Sequence, residues 1–142
     1  MNTQQKRNGA FTSLYYGMIA ALPMGALAMI PAPLSGMQFA APLRLIASSL
    51  LGQAALSGAT GLLLGLVLHM MTGAALGAVY AYLLGPGAAK MLYGALYGLA
   101  VWLLATLSLG HVAPIMAQQM PYWLFAMAHL VYGATLALLW RR

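Results

Sequence analysis

The stretch GLLLGLVLHMMTGAALG, residues 61–77, carries no charged side chain and sets Gly61, Gly65, His69, Gly73 and Gly77 at every fourth position. On a helix that spacing makes one nearly straight ridge, bare of side chains except for an imidazole at its middle. Followed outward in both directions, the apolar run extends from about Ala59 to Leu84 and stops before Gly85-Pro86-Gly87. At 1.5 Å per residue it exceeds the roughly 30 Å of a bilayer's hydrocarbon core, which predicts a tilted transmembrane helix.

The rest of the composition agrees. Of 142 residues, 63% are hydrophobic and 4% charged, with six Lys or Arg and no Asp or Glu. A soluble domain carries charge on about a quarter of its residues, so this chain is expected to face lipid, its principal partner. The basic residues are Lys6, Arg7, Arg44, Lys90, Arg141 and Arg142, at the termini or between apolar runs. They read as topology signals, not as a patch for nucleic acid. Without cysteine there is no thiolate ligand or thiol nucleophile. The lack of carboxylates excludes paired-acid catalysis, a Ser-His-Asp triad and carboxylate Ca²⁺ or Mg²⁺ sites, so no enzyme is expected.

Three further spans are predicted, at about 11–30, 91–109 and 121–140. Lys6 and Arg7 precede the first, and Ala26-Leu27-Ala28 resembles a signal-peptide cleavage site, but the run exceeds a signal peptide's apolar core and reads as a retained span. It contains Pro23, which is expected to kink it, and a small-residue ridge at Ser13, Gly17, Ala21 and Gly25. Pro31 to Pro42 cannot continue a helix, and residues 43–56, which mix Arg44, Ser48, Ser49 and Gln53 with leucines, predict an interfacial or re-entrant segment. Gly110 to Met120, with His111 and Pro114, reads as a loop before Pro121 opens the last span. Tyr122, Trp123 and Trp140 suit the two interfaces. The expected architecture is all-α, a single domain of four spans. Five of the six basic residues fall on one side, which by the positive-inside rule puts both termini in the cytoplasm of a bacterial inner membrane.

The chain also repeats itself. Tyr16-Gly17 and Tyr93-Gly94 open the first and third spans, while His69-x-x-x-Gly73 and His129-x-x-x-Gly133 lie in the second and fourth. Two parallel two-helix units follow, related by a pseudo-twofold axis along the membrane normal, the first enlarged by the 43–56 segment. In YGMIAALPMGALAMI, LHMMTGAALGAVYAYLL, LYGALYGLAVWLLATL and MPYWLFAMAHLVYGATLALL the chain resembles small bacterial inner-membrane proteins of the YagU-like kind. That resemblance implies a membrane fold of unestablished activity, with stress or acid tolerance suggested for some members.

Three kinds of residue could carry chemistry. His69 and His129 could ligate haem b, relay protons, or hold neighbouring helices, with Thr72 and Tyr132 as companions. Met70 and Met127 beside them could form a soft copper site. The ridges Gly61, Gly65, Gly73, Gly77, Gly94, Gly98 and Gly133 fit close helix packing, with a permeation path as the alternative. Tyr80, Tyr93, Tyr97 and Tyr132 could bond inside the bundle, whereas Tyr15, Tyr16, Tyr82 and Tyr122 suit the interface. The leading expectation is a structural or accessory protein without a cofactor, acting as a homo-oligomer or within a larger membrane complex. A small transporter or channel near the two histidines and a haem- or metal-binding bundle are the alternatives.

Overall fold

A computed structural model describes residues 3–85 and 88–141. Its elements are α1 (Thr3–Met29), a 3₁₀ turn (Ala32–Ser35), α2 (Ala41–Leu51), a second 3₁₀ turn (Gly52–Leu56), α3 (Gly58–Leu84), α4 (Met91–Val112), α5 (Pro114–Gln119) and α6 (Tyr122–Leu139). Among the described residues there is no strand. Four helices are long and apolar enough to cross a membrane: Gly9–Met29 of α1, α3, α4 and α6. The 27 residues of α3 reach about 40 Å and the 18 of α6 about 27 Å, so both can span.

Three boundaries differ from those read in the sequence. The first helix starts at Thr3, well before the apolar run at Phe11, and stays helical through Pro23. Residues 43–56 are not one helix: α2 begins at Ala41 and ends at Gly52, whose φ of 55° and ψ of −139° no other residue type adopts easily. The third span continues to Val112, and the supposed loop after it is mostly helical, because Pro114 opens α5. Pro114 also drives Ala113 out of helical geometry, to φ −145° and ψ 68°, which separates α4 from α5.

The spans pack in two antiparallel pairs, α1 with α3 and α4 with α6, and α1 also lies along α6. The remaining neighbours, α3 and α4, are bridged by tyrosines: the Tyr97 hydroxyl donates to Leu76 O at 2.6 Å, and the Tyr80 and Tyr97 rings meet edge to face at 5.0 Å. An exact twofold would make the α1–α6 and α3–α4 interfaces alike, and they are not. At one end α2 and α5 close over the bundle around Leu45, Met116, Met120 and Leu124. At the other end Arg141 Nε–H donates to Ala89 O at 2.9 Å, and Trp140 packs edge to face on Tyr16 at 5.4 Å. Lys90 and Arg141 therefore share one end and Arg44 of α2 lies at the other.

Candidate functional site around His69 and His129

The five ridge positions of α3, Gly61, Gly65, His69, Gly73 and Gly77, are all buried, and so are Ser13, Gly17, Ala21 and Gly25 of α1. Both stripes repeat every fourth residue, so two helices running in opposite directions can lay one along the other. Side chains are nearly absent from the seam. A Cβ added to Gly17 would stand 2.2 Å from Gly73 O, and one added to Gly77 would stand 2.6 Å from Ser13 O and 2.5 Å from the Cα of Gly17. Such backbone-to-backbone approach supplies van der Waals contact where lipid offers no hydrophobic drive.

The ridge changes partner halfway along. A Cβ on Gly61 would fall 1.9 Å from Ala55 O, and one on Gly65 would fall 1.9 Å from Leu43 O. The outer half of α3 therefore receives the segment between the first two spans, and the inner half receives α1. His69 stands at the junction.

His69 is 9% exposed, and its Nε2 lies 2.8 Å from Ala21 O of α1. A carbonyl only accepts, so Nε2 carries the hydrogen and donates it. Gly25 gives the ring room: a Cβ there would come within 3.1 Å of Nε2. One turn along α1 from Ala21, it leaves the second lone pair of Ala21 O open to a neighbour.

The α4–α6 pair has the same register. A Cβ on Gly94 would stand 2.3 Å from Gly133 O and one on Gly98 would stand 2.2 Å from His129 O, so Gly94 faces Gly133 and Gly98 faces His129. In α1 and α3, Gly17 likewise faces Gly73 and Ala21 faces His69. Yet His129, 4% exposed, does not reach across. Its Nδ1–H donates to Phe125 O of its own helix at 2.8 Å, and its ring stands edge to face on Phe125 with centroids 4.4 Å apart. The next positions outward explain why the pairs diverge. Where the first pair has Gly25 and Gly65, the second has Trp102 and Phe125. Glycine leaves room that His69 and Leu43 of α2 enter, whereas Phe125 packs its ring against His129.

Two cavities border His69. One of about 40 Å³ lies among Met24, Gly25, Leu43, His69, Met120 and Phe125 and has room for a few waters at most. The other, about 290 Å³, is an apolar groove open to the outside between Leu22, Ala26, Phe39, Leu43 and Leu66, with Met70 and His69 at its floor.

Of the companions suggested by the sequence, Tyr132 belongs to the interior: its hydroxyl donates to Gly73 O at 2.6 Å and so ties α6 to the glycine ridge of α3. Thr72 is exposed on α3 and is not part of the buried ridge. Met127 is 49% exposed and faces outward, which separates it from a site with His129. Among the described residues no hydrogen bond or ring contact joins His69 to His129, and no group of three or more His, Cys, Asp or Glu could hold a metal ion. The acceptors themselves, Ala21 O and Phe125 O, were invisible in the sequence because every residue has a carbonyl. Gly25 was visible, as a member of the α1 ridge. The chain matches no protein-family model, no curated protein and no solved structure.

Proposed function

We infer that the protein is a non-enzymatic integral membrane protein with a structural or accessory role, in which His69 holds α3 to α1, His129 is engaged within α6, and neither binds a cofactor. The observation that carries this reading is the His69 Nε2–H bond to Ala21 O, which engages the imidazole in joining α3 to α1. His129 is engaged in the same currency, a backbone carbonyl. The groove at His69 is apolar along its length, as suits a helix or acyl chain better than an ion path.

The matched registers Gly17–Gly73 and Gly94–Gly133 support two parallel helix pairs derived from one unit, with the α2 segment as an addition to the first. The clustering of Lys90 and Arg141 at one end supports cytoplasmic termini in an inner membrane, in line with the resemblance to YagU-like proteins.

Reconstitution tests this reading. Liposomes containing the wild-type protein are expected to show no proton or ion flux above protein-free vesicles, and His69→Ala is expected to lower unfolding stability. A flux that His69→Ala abolishes while the helices remain folded would overturn it, as would a Soret band from the protein purified from its host. A defined oligomer or a co-purifying membrane protein is the expected positive sign of an accessory role.

A further inference from the structure

Arg44 is the only charged residue between the N-terminal tail and Lys90, and the chain has no Asp or Glu with which to pair it. It stands on α2, at the end of the bundle away from Lys90 and Arg141. Its Nη1–H donates to Gln38 Oε1 at 2.7 Å and its Nη2–H to Gly58 O at a long 3.4 Å, while Nε is buried without a partner. A guanidinium carries five N–H donors and a permanent charge. Here it has two neutral acceptors and no anion.

Beside it opens a cavity of about 270 Å³, bordered by Gln38, Arg44, Gln119, Met37, Leu45 and Leu56. Gln38 and Arg44 come from the connection between α1 and α3, and Gln119 comes from α5, so both connections at this end contribute polar groups. Large apolar side chains stand exposed on the same connection: Leu34 at 88%, Phe39 at 55% and Leu50 at 67%. In a chain with four membrane-capable helices, such residues on the same connection as a cation mark the boundary between acyl chains and headgroups. The anion concentrated at that boundary is the lipid phosphate, and a guanidinium matches phosphate with paired, charge-assisted hydrogen bonds.

We propose that the pocket of Arg44, Gln38 and Gln119 binds the phosphate of a membrane phospholipid, whose acyl chains lie on the exposed Leu34 and Phe39. The guanidinium supplies the charge and the fork of donors, and the Gln119 carboxamide supplies a further N–H. Gln38 orients the fork through its bond to Nη1.

The test is native mass spectrometry of the full chain in a neutral detergent, titrated with phosphatidylglycerol. One tightly held lipid per chain is expected. Arg44→Gln should weaken it about tenfold or more, and Gln119→Ala by a smaller factor, because the charged donor is the stronger one. Lys90→Gln, at the opposite end, should leave it unchanged. Arg44→Lys keeps the charge but not the fork and should fall between wild type and Arg44→Gln, which gives a readout even if Arg44→Gln fails to fold. The proposal is overturned if Arg44→Lys and Gln119→Ala both bind as wild type, or if Arg44→Gln and Lys90→Gln weaken binding equally. Displacement of the lipid by inorganic phosphate at equal concentration also overturns it, since the pocket would then take a free anion.

Discussion

At Gly17 a methyl carbon would meet Gly73 O at 2.2 Å, Gly77 Cα at 2.9 Å and Ala74 Cα at 3.0 Å, all of them backbone atoms with no rotamer to yield. Gly17→Ala must therefore push α1 off α3. An over-packing cost at or above about 1–3 kcal/mol is expected, read as a lower midpoint in a detergent-unfolding titration. Gly110→Ala, with nothing within 4 Å of the added carbon, should unfold like wild type and serves as the control. The histidines allow a second comparison. His69→Phe keeps a ring but deletes the N–H to Ala21 O, a bond between helices, and should cost about 1 kcal/mol, within the range of interhelical hydrogen bonds in membranes. His129→Phe deletes a bond internal to α6 and should cost less by the same titration. Equal losses at the two sites would contradict the different roles the geometry gives them.

Among the elements, α2 depends most on one position of another helix. Its Leu43 carbonyl rests on the bare backbone of Gly65, where an added Cβ would sit 1.9 Å away. Gly65→Leu should lift α2 while leaving the α1–α3 seam at Gly17 and Gly73 intact. Hydrogen exchange is the measurement: amides of Ala41–Leu51 should lose protection in this variant, while those around Gly73 and Gly77 keep theirs. The residues of α2 were readable as an amphipathic helix, since arginine and two serines mix with leucines. Where it docks was not readable. The outer glycines of α3 looked the same in sequence as the inner ones, and only the path of the chain after Met29 brings Leu43 to Gly65. The helical character of α5 was also missed, because proline, glutamine and histidine in a short run resemble a loop, whereas Pro114 is a favourable first helical residue.

For the molecule as a whole, the tyrosines between α3, α4 and α6 add hydrogen bonds to the α1–α6 packing that joins the two helix pairs. The hydroxyl of Tyr97 reaches Leu76 O and that of Tyr132 reaches Gly73 O, each at 2.6 Å. Tyr97→Phe and Tyr132→Phe should each cost up to about 1–2 kcal/mol, and the loss should appear in the association of the pairs before it appears in helix content measured by circular dichroism. Topology gives a further test. The chain has no cysteine, so Arg44→Cys and Lys90→Cys are clean single-label variants. A membrane-impermeant thiol reagent should reach position 44 and position 90 from opposite sides of a sealed vesicle. Labelling of both from the same side would break the four-span arrangement.

Hydropathy by itself determined the four helices long and apolar enough to cross a membrane, and the four-residue spacing of small residues determined which stripe of α1 and of α3 is buried. Both are properties of a segment in lipid, where length must match the bilayer and close packing needs bare backbone. What the tertiary structure alone decided is the partner along each ridge: the second 3₁₀ turn for Gly61, α2 for Gly65, α1 for Gly73 and Gly77, and the Ala21 carbonyl for His69. The physical reason is that these contacts are made to backbone atoms. Carbonyls are identical at every residue, so no side-chain pattern encodes which one a glycine or an imidazole will meet. That choice follows from the register of the antiparallel helices and from the room left at Gly25 and Gly65, positions that correspond to Trp102 and Phe125 in the second pair.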